Sequence, residues 1–210
     1  AHSAVVDQRP ALAVYSLPEP GDTNNTIDEE FKVAVLGNWQ RATATSQGFL
    51  LGGHGRLVST RHDSSIPNAQ DSNKSFPIPT GHNVRSLAVS SNNKYVACGI
   101  WQKAYILNAQ DLSPVAEIPN PHWVKEIAFH PSRDEIFLHV NSIGVEQRRI
   151  SDQSLVNRFE GDCRTFALND DGSLIALTTG GGEIAVYSTI SGQQQMLLSD
   201  PWEESHIRGI

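Results

Sequence analysis

Apolar and polar residues alternate along this chain with a period of two, broken at short intervals by polar turns. No long stretch carries the 3.6-residue period of a helix. The segment Val84-Arg-Ser-Leu-Ala-Val-Ser90 is followed by the polar Asn92-Asn93-Lys94 and then by Tyr95-Val-Ala-Cys-Gly99. The same order returns at Val124-Lys-Glu-Ile-Ala-Phe-His130, Pro131-Ser-Arg133 and Glu135-Ile-Phe-Leu-His139. It returns again at Arg164-Thr-Phe-Ala-Leu168, Asn169-Asp-Asp-Gly172 and Ser173-Leu-Ile-Ala-Leu177. Each unit predicts an alternating strand, a tight turn and a second strand. Asn, Asp and Gly suit the turn because they tolerate positive φ and bond their own backbone. The last unit continues through Gly180-Gly-Gly182 to a third strand, Glu183–Ser188, and through Thr189–Gly192 to a fourth, Gln194–Leu198.

The boundary between units repeats as well. Ile78-Pro79-Thr-Gly-His82 matches Ile118-Pro119-Asn-Pro-His122, and Gly37-Asn-Trp39 occupies the same slot, aligning Trp39 with Trp123. The layout is then three strands near Ala4–Asp7, Ala11–Leu17 and Lys32–Leu36, followed by four complete four-stranded blades starting near Gln40, Val84, Val124 and Arg164. His206-Ile-Arg-Gly-Ile210 reads as one more first strand. Five blades' worth of strands at roughly 42 residues each falls in the range of propeller repeats. The expected fold is an all-β propeller of four-stranded blades, with residues 1–210 as a single domain. Pairing of the terminal strands would close a five-bladed ring; otherwise the chain is a segment of a larger one. Leu17–Glu30 and Arg61–Ser75 are polar and too long for tight turns, so both read as inserted surface loops.

These units resemble the WD-repeat family. Asn169-Asp-Asp-Gly172 looks like the family's Ser-Pro-Asp-Gly turn, His130-Pro131-Ser132 is a looser version of it, and Gly81-His82 resembles the family's Gly-His. The resemblance is good from Pro79 to Gly192 and weaker elsewhere. The Trp-Asp dipeptide itself is absent: Leu107-Asn108, Arg148-Arg149 and Tyr187-Ser188 stand at the ends of the third strands. The resemblance implies a propeller that acts as a protein-interaction scaffold.

Composition narrows the function classes. A net charge of −7 argues against non-specific nucleic-acid binding, which needs a basic footprint. No apolar run approaches the roughly 20 residues of a membrane span, and Ala1–Pro10 lacks the basic-then-apolar order of a secretory leader. The two cysteines, Cys98 and Cys163, both fall in apolar strand segments and read as buried thiols of a reducing, cytoplasmic setting.

The eight histidines show no metal-ligand spacing, so no metal or cofactor is expected. Gly52-Gly-His-Gly55 has neither the following helix nor the Lys of a phosphate loop. No nucleophile elbow is present, and Asp7, Glu126 and Asp162, the acids best placed for a glycosidase pair, lie in no recognisable motif. The chain is therefore expected to be non-catalytic.

The aromatic residues lead further. Trp101 falls in a turn between second and third strands, while Trp39 and Trp123 fall at junctions between a fourth strand and the next first strand. Strand polarity alternates within a blade, so both loop classes open on one side. Trp101, Trp123, His122, His82, Trp39 and His54 are the candidate binding residues of that side. Trp101 is the expected anchor, because a hairpin tip leaves it little to pack against, and tryptophan dominates interaction hot spots. The expected partner is a protein, or the rest of a larger propeller or assembly. A carbohydrate stacked on the aromatic rings is the alternative.

Overall fold

The computed structural model describes residues 5–6, 9–12, 35–36, 39–46, 48–61 and 74–199, with side chains for 40–46, 48–60 and 74–199. Among them every regular element is a strand, and every strand pairing is antiparallel. The first three strands, β1 (Val5–Val6), β2 (Arg9–Leu12) and β3 (Val35–Leu36), form a small sheet in chain order. Here β2 starts earlier than the alternation at Ala11–Leu17 suggested, because Arg9 and Pro10 pair with β1.

The first full blade is β4 (Trp39–Thr45), β5 (Gly48–Gly53), β6 (Arg56–Arg61) and β7 (Lys74–Pro77). Arg61, Lys74 and Ser75 of the insertion expected at Arg61–Ser75 belong to these strands; the rest of that stretch, 62–73, lies outside the described residues. The next strands are β8 (Ser86–Val89), β9 (Tyr95–Asn108), β10 (Pro114–Phe129), β11 (Glu135–Val140), β12 (Gly144–Arg149) and β13 (Leu155–Glu160). Two of these are double. An extended β9 would place its ends about 45 Å apart, yet the Ala109 N–H donates to the Lys94 carbonyl at 3.0 Å. The strand therefore folds back on itself, at Gln102 with φ +64°. β10 pairs with β9 through Pro119 and again at Trp123, and with β11 from Val124 onward, turning a corner at Asn120–His122. The six-stranded sheet is thus two four-stranded blades. The last blade is β14 (Cys163–Leu168), β15 (Leu174–Thr179), β16 (Ile184–Ser188) and β17 (Gln194–Leu198).

The core lies between blades, and the two-residue period explains why. On β9, Val96, Cys98, Ile100, Tyr105 and Leu107 face the first blade, where they and Val84 pack with Leu50 and Leu57. Ala97, Ala104 and Ile106 point the other way, into a cluster with Ile127, Ile136, Leu138 and Val140 of the third blade. Phe137, on the opposite face of β11, meets Phe166, Ile175 and Leu177 of the fourth. Middle strands are buried on both faces, so they read as nearly unbroken apolar runs such as Ile136-Phe-Leu. Among the described residues the blades pack in sequence as an open arc.

Short polar loops close the hairpins with their own side chains. In the third-to-fourth-strand turns, the Ser113 and Ser154 hydroxyls donate to Asp111 and Asp152 at 2.7 Å each. The same carboxylates accept the Ser113 and Ser154 backbone N–H groups at 2.9 and 3.0 Å. These bonds, led by the serine hydroxyl, hold the Asp152 carboxyl down at about 2.

Candidate functional site

Strand direction places the second-to-third turns and the fourth-to-first junctions on one side of the arc. On that side Trp101 and Trp123 sit directly opposite each other in the β9–β10 ladder. Their rings meet edge to face at a centroid distance of 5.1 Å, and the His122 ring lies 6.3 Å from Trp101. All three are half-buried. The expectation that Trp101 has little to pack against is corrected: the corner in β10 brings Trp123 and His122 onto it. Arg85 extends the cluster, its guanidinium carbon 4.9 Å from the centre of the Trp123 ring.

The remaining candidates lie at the junction of the first two blades. His54 is exposed, forms a bridge to Asn83, and its Nδ1 stands 2.9 Å from Asn83 Oδ1. The neighbouring His82 carbonyl accepts the Gly55 N–H, while its buried Nδ1 has no partner. Trp39 pairs with Gly53 through its backbone; its side chain lies outside the described residues. The Gly-rich Gly52–Gly55 stretch has a packing cause. A Cβ on Gly52 would stand 2.5 Å from Val84 Cγ1, so glycine lets the second blade approach.

A second feature adjoins the aromatic cluster. Arg85, Lys125 and Arg164 stand at one matching position near the start of the innermost strand segments, Arg41 stands one residue further along its own, opposite Gly52 as Ser86 stands opposite Gly99, and the four line one cleft of ≈ 430 Å³. All four are exposed. Arg41 donates to the Arg85 carbonyl at 2.7 Å and to the Gln40 carbonyl at 2.8 Å. None of the four is ion-paired among the described residues. The sequence carries the signal: a cation recurs at 85, 125 and 164 with the spacing of the blades, and Arg41 stands one position off that register.

The acids are otherwise engaged. Glu126 lines this cleft, but its carboxylate bridges to the next blade, accepting from the Thr165 hydroxyl at 3.0 Å and the Phe166 N–H at 3.2 Å. Burial pushes its carboxyl above the usual range, against those two bonds. Asp162 lines a different cleft, beside Ser142 and Arg158. Asp7 lies outside the described residues. The buried Glu146 gives one oxygen to Arg148 and the other to Arg158, each at 2.8 Å.

Two further groups bear on chemistry. Cys98 is buried and Cys163 half-buried; both are free thiols, and burial lifts each to about 12, which keeps them protonated and poorly nucleophilic. His139 lines the cationic cleft from β11 and is 2% exposed. Burial, then the Lys125 charge, lowers it to about 4, so it is neutral at pH 7. One ring nitrogen donates to the Cys163 backbone, and Nδ1 has no partner. Among the described residues no group of three or more His, Cys, Asp or Glu is arranged to hold a metal, and no helix is long and apolar enough to cross a membrane.

No family model matches the chain, and no curated protein does. Solved structures do. BamB from Moraxella catarrhalis aligns over 75% of this chain and 47% of its own, at 13% identity and a TM-score of 0.61. The C-terminal WD40 domain of Sif2 aligns over 76% of this chain and 48% of its own, at 12% identity and a TM-score of 0.60. The fold is a β-propeller. The chain spans about half the length of these propellers, and its described blades form a partial ring. At such identities the likeness is one of fold, and residue roles rest on the geometry above.

Proposed function

We propose that this propeller is a non-catalytic protein-interaction module of a larger cytoplasmic assembly, and that it binds through the side bearing Trp101, His122 and Trp123. The observation that carries the reading is the half-exposed Trp101–Trp123 pair, ringed by His122 and Arg85. An aromatic anchor with a polar surround is the composition of an interface centre. The separate clefts of Glu126 and Asp162 support the absence of a glycosidase pair. The two free thiols fit a reducing compartment. A sugar-binding propeller would repeat its aromatic site around the ring, whereas the described tryptophan pair occurs at a single blade junction.

The test is capture of proteins from native extract on the immobilised chain, beside a glycan array. Trp101→Ala should weaken the captured complex about 30-fold, the hot-spot scale of ~2 kcal/mol. Asp171→Ala, in a turn on the opposite side, should leave capture unchanged. Capture that depends on Asp171 and not Trp101, or binding confined to the glycans, overturns the reading.

A further inference from the structure

We infer that the cleft lined by Arg41, Arg85, Lys125 and Arg164 receives a phosphoryl group carried on a peptide segment of a protein partner. The inference rests on the interaction-module reading and specifies what that partner presents beside the aromatic cluster.

The cations are a deliberate feature of the fold. The chain as a whole carries 23 acidic against 16 basic residues, yet the matching inner-strand position is basic in three described blades, at Arg85, Lys125 and Arg164, and Arg41 of the first blade lines the same cleft. The spacing continues in the sequence to Arg208, which lies outside the described residues. Like charges gathered at one cleft repel each other, and among the described residues no carboxylate pairs with any of these four. Glu126, the acid within the cleft, is held by Thr165 and Phe166 of the fourth blade. An anion from outside would relieve the repulsion.

Two details prepare the cleft for that anion. Arg85 is held against Trp123, and Arg41 is tied to the Arg85 carbonyl, so both guanidinium groups are partly ordered before a ligand arrives. The buried His139 lines the same cleft with an unpartnered acceptor nitrogen. A water that the phosphoryl group orders would donate to that nitrogen.

A phosphoryl group suits the site better than Asp or Glu side chains. It concentrates about two negative charges at one point and offers three acceptor oxygens to guanidinium forks. A peptide suits it better than a nucleic acid. A polyanionic backbone needs an extended basic track, whereas these cations share one cleft of a protein with net charge −7. The adjoining Trp101–Trp123 pair supplies an apolar seat for a residue flanking the phosphate.

Fluorescence anisotropy with a labelled phosphoserine peptide pool of randomised flanks, against the same pool carrying serine, tests the inference on the full chain. The phosphorylated pool should bind at least tenfold tighter, the preference should weaken with salt, and Arg164→Gln and Lys125→Gln should each reduce it about tenfold with an unchanged circular dichroism spectrum. Equal binding of the two pools overturns the inference, as does a preference that survives the Arg164→Gln, Lys125→Gln double variant. Tighter binding of a single-stranded oligonucleotide or of tripolyphosphate through the same residues also overturns it, by assigning the cleft another occupant. Failure of the interaction-module reading shows separately, as protein capture indifferent to Trp101→Ala, while the ratio of the two pools still reports on the cleft alone.

Discussion

The guanidinium of Arg85 lies over the indole of Trp123, 4.9 Å from its centroid, and joins the cationic cleft to the aromatic cluster. Arg85 precedes the inner strand β8 of the second blade, whereas Trp123 lies at the corner of β10 leading into the third.

This stack has a measurable coupling. A double-mutant cycle of Arg85→Ala and Trp123→Ala, read by urea unfolding, should give an interaction of about 0.5–1 kcal/mol, the range for an exposed cation over an aromatic face. Trp101→Ala should cost more, about 1–3 kcal/mol, because it removes a half-buried ring and its edge-to-face contact. Zero coupling in the cycle would show that the two side chains do not stack in solution.

Gly172 joins the third and fourth blades. Its φ is +72°, and a Cβ there would stand 2.5 Å from Nε2 of the buried His130. The Gly172 carbonyl also accepts the Thr189 hydroxyl at 2.6 Å, and the Thr189 carbonyl accepts from Asn157 at 2.8 Å. Gly172→Ala should therefore destabilise by about 2–4 kcal/mol, combining left-handed strain with a clash. Gly55→Ala, at φ +76° with nothing within 4 Å of the added Cβ, isolates the strain and should cost about 1–2 kcal/mol. Equal losses in thermal or urea unfolding would refute the packing contribution.

Stability should fall as the pH drops from about 6.5 to about 4. The unfolded chain protonates His139 near 6.5, whereas the folded chain resists until about 4. Above this window both states are neutral at that ring; within it the unfolded state binds the extra proton and gains, by up to about 3 kcal/mol in total. His130, also lowered by burial, acts in the same direction. Glu126, whose folded carboxyl is raised, acts in the opposite one. His139→Gln keeps a donor for the Cys163 carbonyl and removes the titration. Its unfolding free energy should change distinctly less between pH 7 and pH 4.5 than that of the parent, and identical slopes would exclude His139 as the source.

Much of the fold was legible because blade strands are short, local and closed by turns whose chemistry is written in adjacent residues. The alternation at Val84–Ser90, Val124–His130 and Arg164–Leu168 marked three inner strands, since a strand facing two surfaces must repeat every second residue. The candidate site was legible only in part. Trp101, His122 and Trp123 could be assigned to one side from strand polarity, but not to mutual contact. That contact depends on the corner at Asn120–His122, where the β9–β10 register shifts between Pro119 and Trp123. The cations at 85, 125 and 164 were visible as a periodic pattern, yet a cation near the start of a strand is ordinary until these three and Arg41 line one space.

The sequence by itself determined the strand class, the turn positions and the order of the blades, because these follow from residue periodicity and from the backbone preferences of Asn, Asp and Gly. Only the tertiary structure decided which blade faces which, and therefore which of these residues meet. Val96 and Ala97 are neighbours in the chain but belong to cores on opposite faces of one blade. Arg41 and Arg164, far apart in the chain, line one cleft because packing the blades about a common axis brings their inner edges together. Such proximity is set by inter-blade packing over long sequence separations, which no local pattern of residues encodes.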